Sequence, residues 1–147
     1  MILEPIHVKG IPTFTLINGD GVVVEKFTVS NIITSAGRNY SASRMFDSSS
    51  PVMGWIALGS GSTPTLFSDV SLNVETARVA MSGSTIVQNV INYRATFGPG
   101  IATGIVREAG TFNASNTNTY MISRVAFPAF TKAAADTVIV EWGYEIL

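Results

Sequence analysis

His7 is the only histidine of this chain and there is no cysteine. A histidine serving as general base needs a fixed pocket around it, and His7 lies between Pro5 and Pro12 in a stretch with no clean period, so it reads as an exposed or interface residue. A histidine-based metal site would need a second ligand of the same kind, and thiolate chemistry and disulfides are excluded outright. Among the acids, Glu141 and Glu145 share one face of a strand. Their four-residue spacing separates them by ~13 Å, beyond the about 5–9.5 Å that either mechanism of glycoside hydrolysis requires. Glu108 beside Arg107, and Glu75 near Arg78, read as surface or interface ion pairs. The stretch Gly59-Ser60-Gly61-Ser62-Thr63 has the composition of a phosphate-cradling loop, yet it lacks the P-loop lysine and runs into Pro64 rather than a helix, so it reads as a connection between strands. Arg94 near Tyr93 and Phe97, and Arg124 near Phe127, do not make the continuous basic, aromatic stripe of a nucleic-acid binder. The expectation is no catalytic residue, no cofactor and no metal.

Charge and composition narrow the class further. Nine Lys and Arg against ten Asp and Glu give a formal net charge of −1, without the basic excess that phosphate binding needs. Charged residues are 13% of the chain, about half the roughly 25% usual for soluble domains, while 46% is hydrophobic. A surface this poor in charge suits burial against other subunits. At 147 residues the chain can bury one good core. The absence of cysteine fits a reducing compartment, and no signal peptide or apolar run of about 18 residues is expected, which argues against a membrane partner.

The elements that must position these residues are mostly strands. Val138, Val140, Trp142, Tyr144 and Ile146 alternate with Glu141, Gly143 and Glu145, the pattern of a strand with one buried and one wet face. Thr13–Ile17 and Val22–Val29 flank Asn18-Gly19-Asp20-Gly21 and predict a hairpin. Ser30 as N-cap, followed by Ile32, Ile33, Ala36 and Tyr40, predicts the one helix, running to about Phe46, although Gly37 weakens it. Strands follow at Met53–Leu58, less regularly at Asn73–Met81, as one long strand over Ser84–Phe97, at Gly104–Phe112, at Tyr120–Phe127, and from Thr137. About seven or eight short strands with turn signals between them and one short helix predict an all-β fold, an antiparallel β-sandwich of jelly-roll or Greek-key type. Its expected core is Trp55, Val87, Ile91, Tyr93, Phe112, Val125, Phe127, Val138, Val140, Trp142 and Tyr144. Residues 1–12 read as an extended arm outside a single domain over 13–147. The arm's Ile2, Leu3, Pro5, Ile6, Val8, Ile11 and Pro12 are the candidate interface, because no period would fold them into the domain.

Several segments, in order, resemble small structural proteins of tailed-bacteriophage virions. Trp55-Ile56-Ala57-Leu58-Gly59-Ser60-Gly61-Ser62-Thr63-Pro64 is similar to their IALGTGTTAP segment, and Ser30-Asn31-Ile32-Ile33-Thr34-Ser35-Ala36-Gly37-Arg38-Asn39 to the NLVTNAGRN segment before it. Leu72, Glu75 and Arg78 match an L..E..R element, and Glu108-Ala109-Gly110-Thr111-Phe112 an EIGLF strand with changes. Ile122–Lys132 and Glu141-Trp142-Gly143-Tyr144-Glu145-Ile146 are similar to the closing L.AR..F....K and W.I.I strands. The resemblance covers residues 30–147 and leaves out the arm and first hairpin. It implies a structural role in a phage particle, assembled in the host cytoplasm. The leading expectation is a capsid decoration, or cement, protein that binds the major capsid protein and itself, as homotrimer or homodimer, without catalysis. A tail-fibre or baseplate module contacting a host receptor is the alternative, and an enzyme acting on surface polysaccharide a third.

Overall fold

The computed structural model describes residues 7–47, 51–115 and 120–147. Ten strands and one helix occur among them: β1 (Val8–Ile17), β2 (Val23–Thr28), β3 (Ile32–Ile33), α1 (Ser35–Phe46), β4 (Trp55–Gly59), β5 (Glu75–Ala80), β6 (Gly83–Val87), β7 (Val90–Phe97), β8 (Gly104–Phe112), β9 (Met121–Lys132) and β10 (Thr137–Ile146). They form two five-stranded sheets, ordered β2-β1-β10-β7-β6 and β3-β9-β8-β4-β5, with every neighbouring pair antiparallel. The fold is an all-β sandwich with one short helix.

One apolar layer joins the sheets. The first contributes Phe14, Leu16, Ala95, Phe97, Val138, Val140, Trp142 and Tyr144, and the second Ile56, Leu58, Val106, Ala109, Val125, Phe127 and Phe130. Aromatic rings concentrate at one end, where Phe14 lies 5.1 Å from Phe27 and 4.7 Å from Phe127 between ring centroids. The alternation of β10 is realised: Val138, Val140, Trp142 and Tyr144 are buried, and Ile146 emerges at the strand's end. Of the expected core, Phe112, Val125 and Phe127 are also buried, whereas Trp55, Ile91 and Tyr93 are half-buried.

Three expectations are corrected. The strand begins at Val8 and not at Thr13: Val8 faces Ile146, Ile11 faces Gly143 and Pro12 faces Trp142 across the β1–β10 ladder, so these three arm residues belong to the sheet. Pro12 is tolerated because the β2 ladder starts only at Thr13, and its carbonyl accepts from Val29 N at 3.1 Å. The pairing strand lies at the far end of the chain, which is why local patterning does not reveal it. Ile2, Leu3, Pro5 and Ile6 lie outside the described residues. Second, Thr34 rather than Ser30 caps the helix, its Oγ1 accepting from Gly37 N at 3.0 Å and donating to the Met121 carbonyl at 2.7 Å, while Ile32 and Ile33 pair with β9. A Cβ on Gly37 would stand 2.1 Å from the Ile122 carbonyl oxygen, so the glycine that weakens the helix is what lets it lie against β9. Third, Ser84–Phe97 is a hairpin, β6 and β7, reversing at Gln88-Asn89 with Gln88 at φ 53°. With no Gly or Pro at the reversal, its alternation passes for one strand, and Val87 is 67% exposed as a result.

Candidate functional site

The β8–β9 register shifts between Val106 and Glu108, where two steps along β8 are matched by four along β9, and this irregularity sets which side of β8 each later residue faces. Ala109 joins the layer between the sheets, whereas Phe112 packs with Ala57, Leu72 and Met121 in a second cluster beneath the β4–β5 connection, residues 60–74. Glu108 also lies under that connection. Glu108 has no solvent exposure and Arg124, from β9, has 1%. Burying two charges costs several kcal/mol per ion unless both are fully hydrogen-bonded.

Both are. Glu108 Oε2 accepts from Gly61 N and Val74 N, each at 2.8 Å, and Oε1 accepts from Asn73 N at 2.7 Å and Arg124 Nε at 3.1 Å. These four bonds fill the acceptor sites of a carboxylate. Arg124 Nη1 donates to Asp69 Oδ2 at 2.9 Å and the Pro64 carbonyl at 3.2 Å, and Nη2 to the carbonyl and Oγ1 of Thr63 at 3.0 and 3.2 Å. With the Nε bond, all five guanidinium N–H groups are aimed at acceptors. One ion pair therefore fastens both ends of the connection, at Gly61 and at Asn73-Val74, and its middle at Thr63, Pro64 and Asp69.

This arrangement explains the glycine-rich stretch. A Cβ on Gly61 would fall 2.3 Å from Glu108 Oε2, and one on Gly59 would fall 2.4 Å from the Val74 carbonyl oxygen. Backbone N–H groups do gather round an anion here, but the anion is the chain's own Glu108. The expected surface pair of Glu108 with Arg107 is thus corrected: Arg107 Nη1 instead donates to the Ser60 carbonyl at 3.3 Å. Glu75 and Arg78 do pair, through bonds of 2.7 and 3.1 Å, and the Arg78 guanidinium also covers the Phe112 ring at 3.6 Å.

Chemically this is a spent site. The acceptor sites of Glu108 and the N–H groups of Arg124 are all engaged within the chain. An open depression of about 310 Å³ lies over Thr63, Ser68, Asp69, Ser71, Asn73 and Arg124, and the Arg124 guanidinium in it is already bonded to Thr63 and Asp69. The second buried polar cluster lies between the sheets, where the Tyr144 hydroxyl bonds Thr111 Oγ1 at 2.8 Å and Ser123 Oγ, and those two hydroxyls bond each other at 2.8 Å. Burial raises the Tyr144 phenol well above its usual range. Ser123 has only hydroxyl partners there and no base to activate it. His7 is exposed beside the C-terminus, bonded through its backbone to Leu147 at 3.1 and 2.7 Å. Glu141 stands across from Thr13 and Arg94, and Glu145 across from Lys9 and Val90, as neighbours in the ladder. Among the described residues no group of three or more His, Asp and Glu could hold a metal.

What the fastened connection does offer is apolar surface. Leu66 is 58% exposed, Phe67 47% and Val70 69%, while Met45 and Phe46 protrude from the end of α1. The backbone carrying them is held: Leu66 N donates to Asp69 Oδ2 at 2.8 Å, Ser35 N to the Phe67 carbonyl at 2.9 Å, and the Arg38 guanidinium lies 4.6 Å from the Phe67 ring centroid. The buried pair is the feature that patterning missed. Its signal was a charge set among apolar neighbours on each strand, Glu108 near Val106, Ala109 and Phe112, and Arg124 near Ile122, Val125 and Phe127.

No protein-family model matches this chain, and no curated protein and no solved structure is significantly similar to it.

Proposed function

We propose that this protein is a non-enzymatic structural component of a tailed-phage virion, a decoration protein that binds the major capsid protein and reinforces the shell. The observation that carries the reading is the 60–74 connection: a buried ion pair is consumed in holding it still, and what it holds to solvent is Leu66, Phe67 and Val70. A surface fixed before binding loses little conformational freedom on contact, which favours a permanent joint. The scarcity of charge supports the same reading, as does the resemblance of residues 30–147 to virion proteins, whose IALGTGTTAP, EIGLF and L.AR..F....K segments correspond to the stretches that hold Gly61, Glu108 and Arg124. If each copy adds a few kcal/mol to its local joint, many copies in parallel raise the barrier to rupture.

The test is to add purified protein to particles that lack it and follow co-sedimentation and heat-induced DNA release. Stoichiometric binding with DNA retained to higher temperature is the expected result, and Phe67→Asp should weaken the binding without lowering the melting temperature of the free protein. Binding confined to the tail tip, with unchanged heat resistance, would replace this reading by contact with a host receptor.

A further inference from the structure

Among the described residues four strands end the two sheets, and three of them carry protection against pairing with another chain. β2 has Glu25 and Lys26 and a register shift against β1, β5 has the Glu75–Arg78 ion pair and a register shift against β4, and β3 is two residues long. Charges, irregularities and shortness are the usual devices that keep an edge strand solitary. β6, at the end of the β2-β1-β10-β7-β6 sheet, has none of them. Its sequence is Gly83-Ser84-Thr85-Ile86-Val87, without charge or proline, its pairing with β7 is unbroken, and all five residues are exposed, Ile86 by 70% and Val87 by 67%.

We infer that β6 is the seat of a second copy of this chain, the two β6 strands pairing antiparallel about a two-fold axis at Thr85 to make one continuous ten-stranded sheet from two five-stranded ones. The sequence of β6 is complementary to itself in that register. Thr85 faces Thr85 of the second copy, a favourable cross-strand pair. Ser84 then faces Ile86, which brings the two Ile86 side chains into diagonal contact on the side where Ile86 already neighbours Ile91. On the other side Gly83 faces Val87. Gly83 is unexplained within one copy: its φ is not positive, and a Cβ built on it meets nothing within 4 Å. In the pair, a missing side chain at 83 is what admits Val87 of the second copy. An edge without charge offers nothing to steer a charged partner strand, whereas identical strands satisfy each other by symmetry, the commonest arrangement of homo-oligomers. The inference does not depend on the proposed place in a virion. A five-residue ladder is small for an interface, so the pair is weak in dilute solution and strengthens where many copies are held close together.

The chain's lack of cysteine makes the test direct. Thr85→Cys places two thiols across the axis within disulfide reach, and mild oxidation should yield cross-linked dimer roughly tenfold faster than Thr28→Cys on the opposite edge. Sedimentation equilibrium of the unmodified protein, taken up to about 1 mM, should show a monomer–dimer equilibrium. Thr85→Lys, which sets like charges face to face, should abolish it. Gly83→Val should also abolish it while leaving the thermal melt unchanged, because the space at 83 is open in the single copy. A protein monomeric throughout that range, equal cross-linking at 28 and 85, or a Gly83→Val variant that still dimerises would each overturn the inference.

Discussion

Replacing Glu108 by glutamine changes one atom and almost no volume, and it tests whether the buried pair carries the 60–74 connection. The carboxylate presents Oε1 to Asn73 N and Arg124 and Oε2 to Gly61 N and Val74 N. In glutamine one of those oxygens becomes an amide NH₂, a donor turned toward two donors, so two of these bonds are lost in either orientation of the side chain. Each buried donor left without an acceptor costs about 1–3 kcal/mol, and Arg124 additionally loses the fully buried one of its two carboxylate partners, keeping Asp69, against about 3–5 kcal/mol when a buried charge is left with no partner. These contributions overlap, and the expected total is about 3–5 kcal/mol. For a domain of this size that corresponds to a melting temperature lower by roughly 6–20 °C. Denaturant unfolding gives the free energy, and amide hydrogen exchange locates it: Gly61, Asn73 and Val74 should lose protection while the β10 amides exchange only with global unfolding. A Glu108→Gln protein that melts within about 1 °C of the parent, with those three amides still protected, would refute the reasoning.

Other expectations follow from particular contacts. Trp142→Ala, emptying a site with no solvent exposure at the centre of the sandwich, should cost about 3–5 kcal/mol by denaturant titration. Gly37→Ala drives a methyl group into the Ile122 carbonyl, so α1 should detach from β9, with exchange rising at helical amides before the sheets melt. In alkali, burial holds the phenols of Tyr40, Tyr93 and Tyr144 protonated in the folded state above their ordinary pKa of about 10. Ionisation there favours the unfolded chain, so stability is unaffected below pH about 10 and falls as pH rises beyond it, and most phenolate absorbance should appear only with unfolding. Phenolate titrating fully while the sheets remain intact would contradict the burial.

Sequence patterning reached the sandwich because its signals are local. A strand such as β10 states its buried face in the alternation of Val138, Val140, Trp142 and Tyr144, and Asn18 to Gly21 state a turn through side-chain and glycine chemistry, with Asn18 Oδ1 accepting from Asp20 N and Val22 N. What escaped is long-range or neutral to period. Residues 8–12 look formless until β10 is placed beside them, and the Gln88-Asn89 reversal carries neither glycine nor proline. The candidate site was legible only in pieces. Gly59 to Pro64, Leu72, Glu108 and Arg124 each stood out, but a charged residue in isolation is read as exposed, and only the fold shows Glu108 answering the amides of the glycine-rich stretch.

The proposed clamping of a phage shell can be seen directly. A cryo-electron reconstruction of purified particles, compared with particles lacking the protein, tests it most directly. Added density of sandwich shape repeated over the capsid, seated across joints between coat subunits with Leu66, Phe67 and Val70 at the contact, is the expected result. Density present only at the tail tip, or a capsid surface identical in both particles, would contradict it.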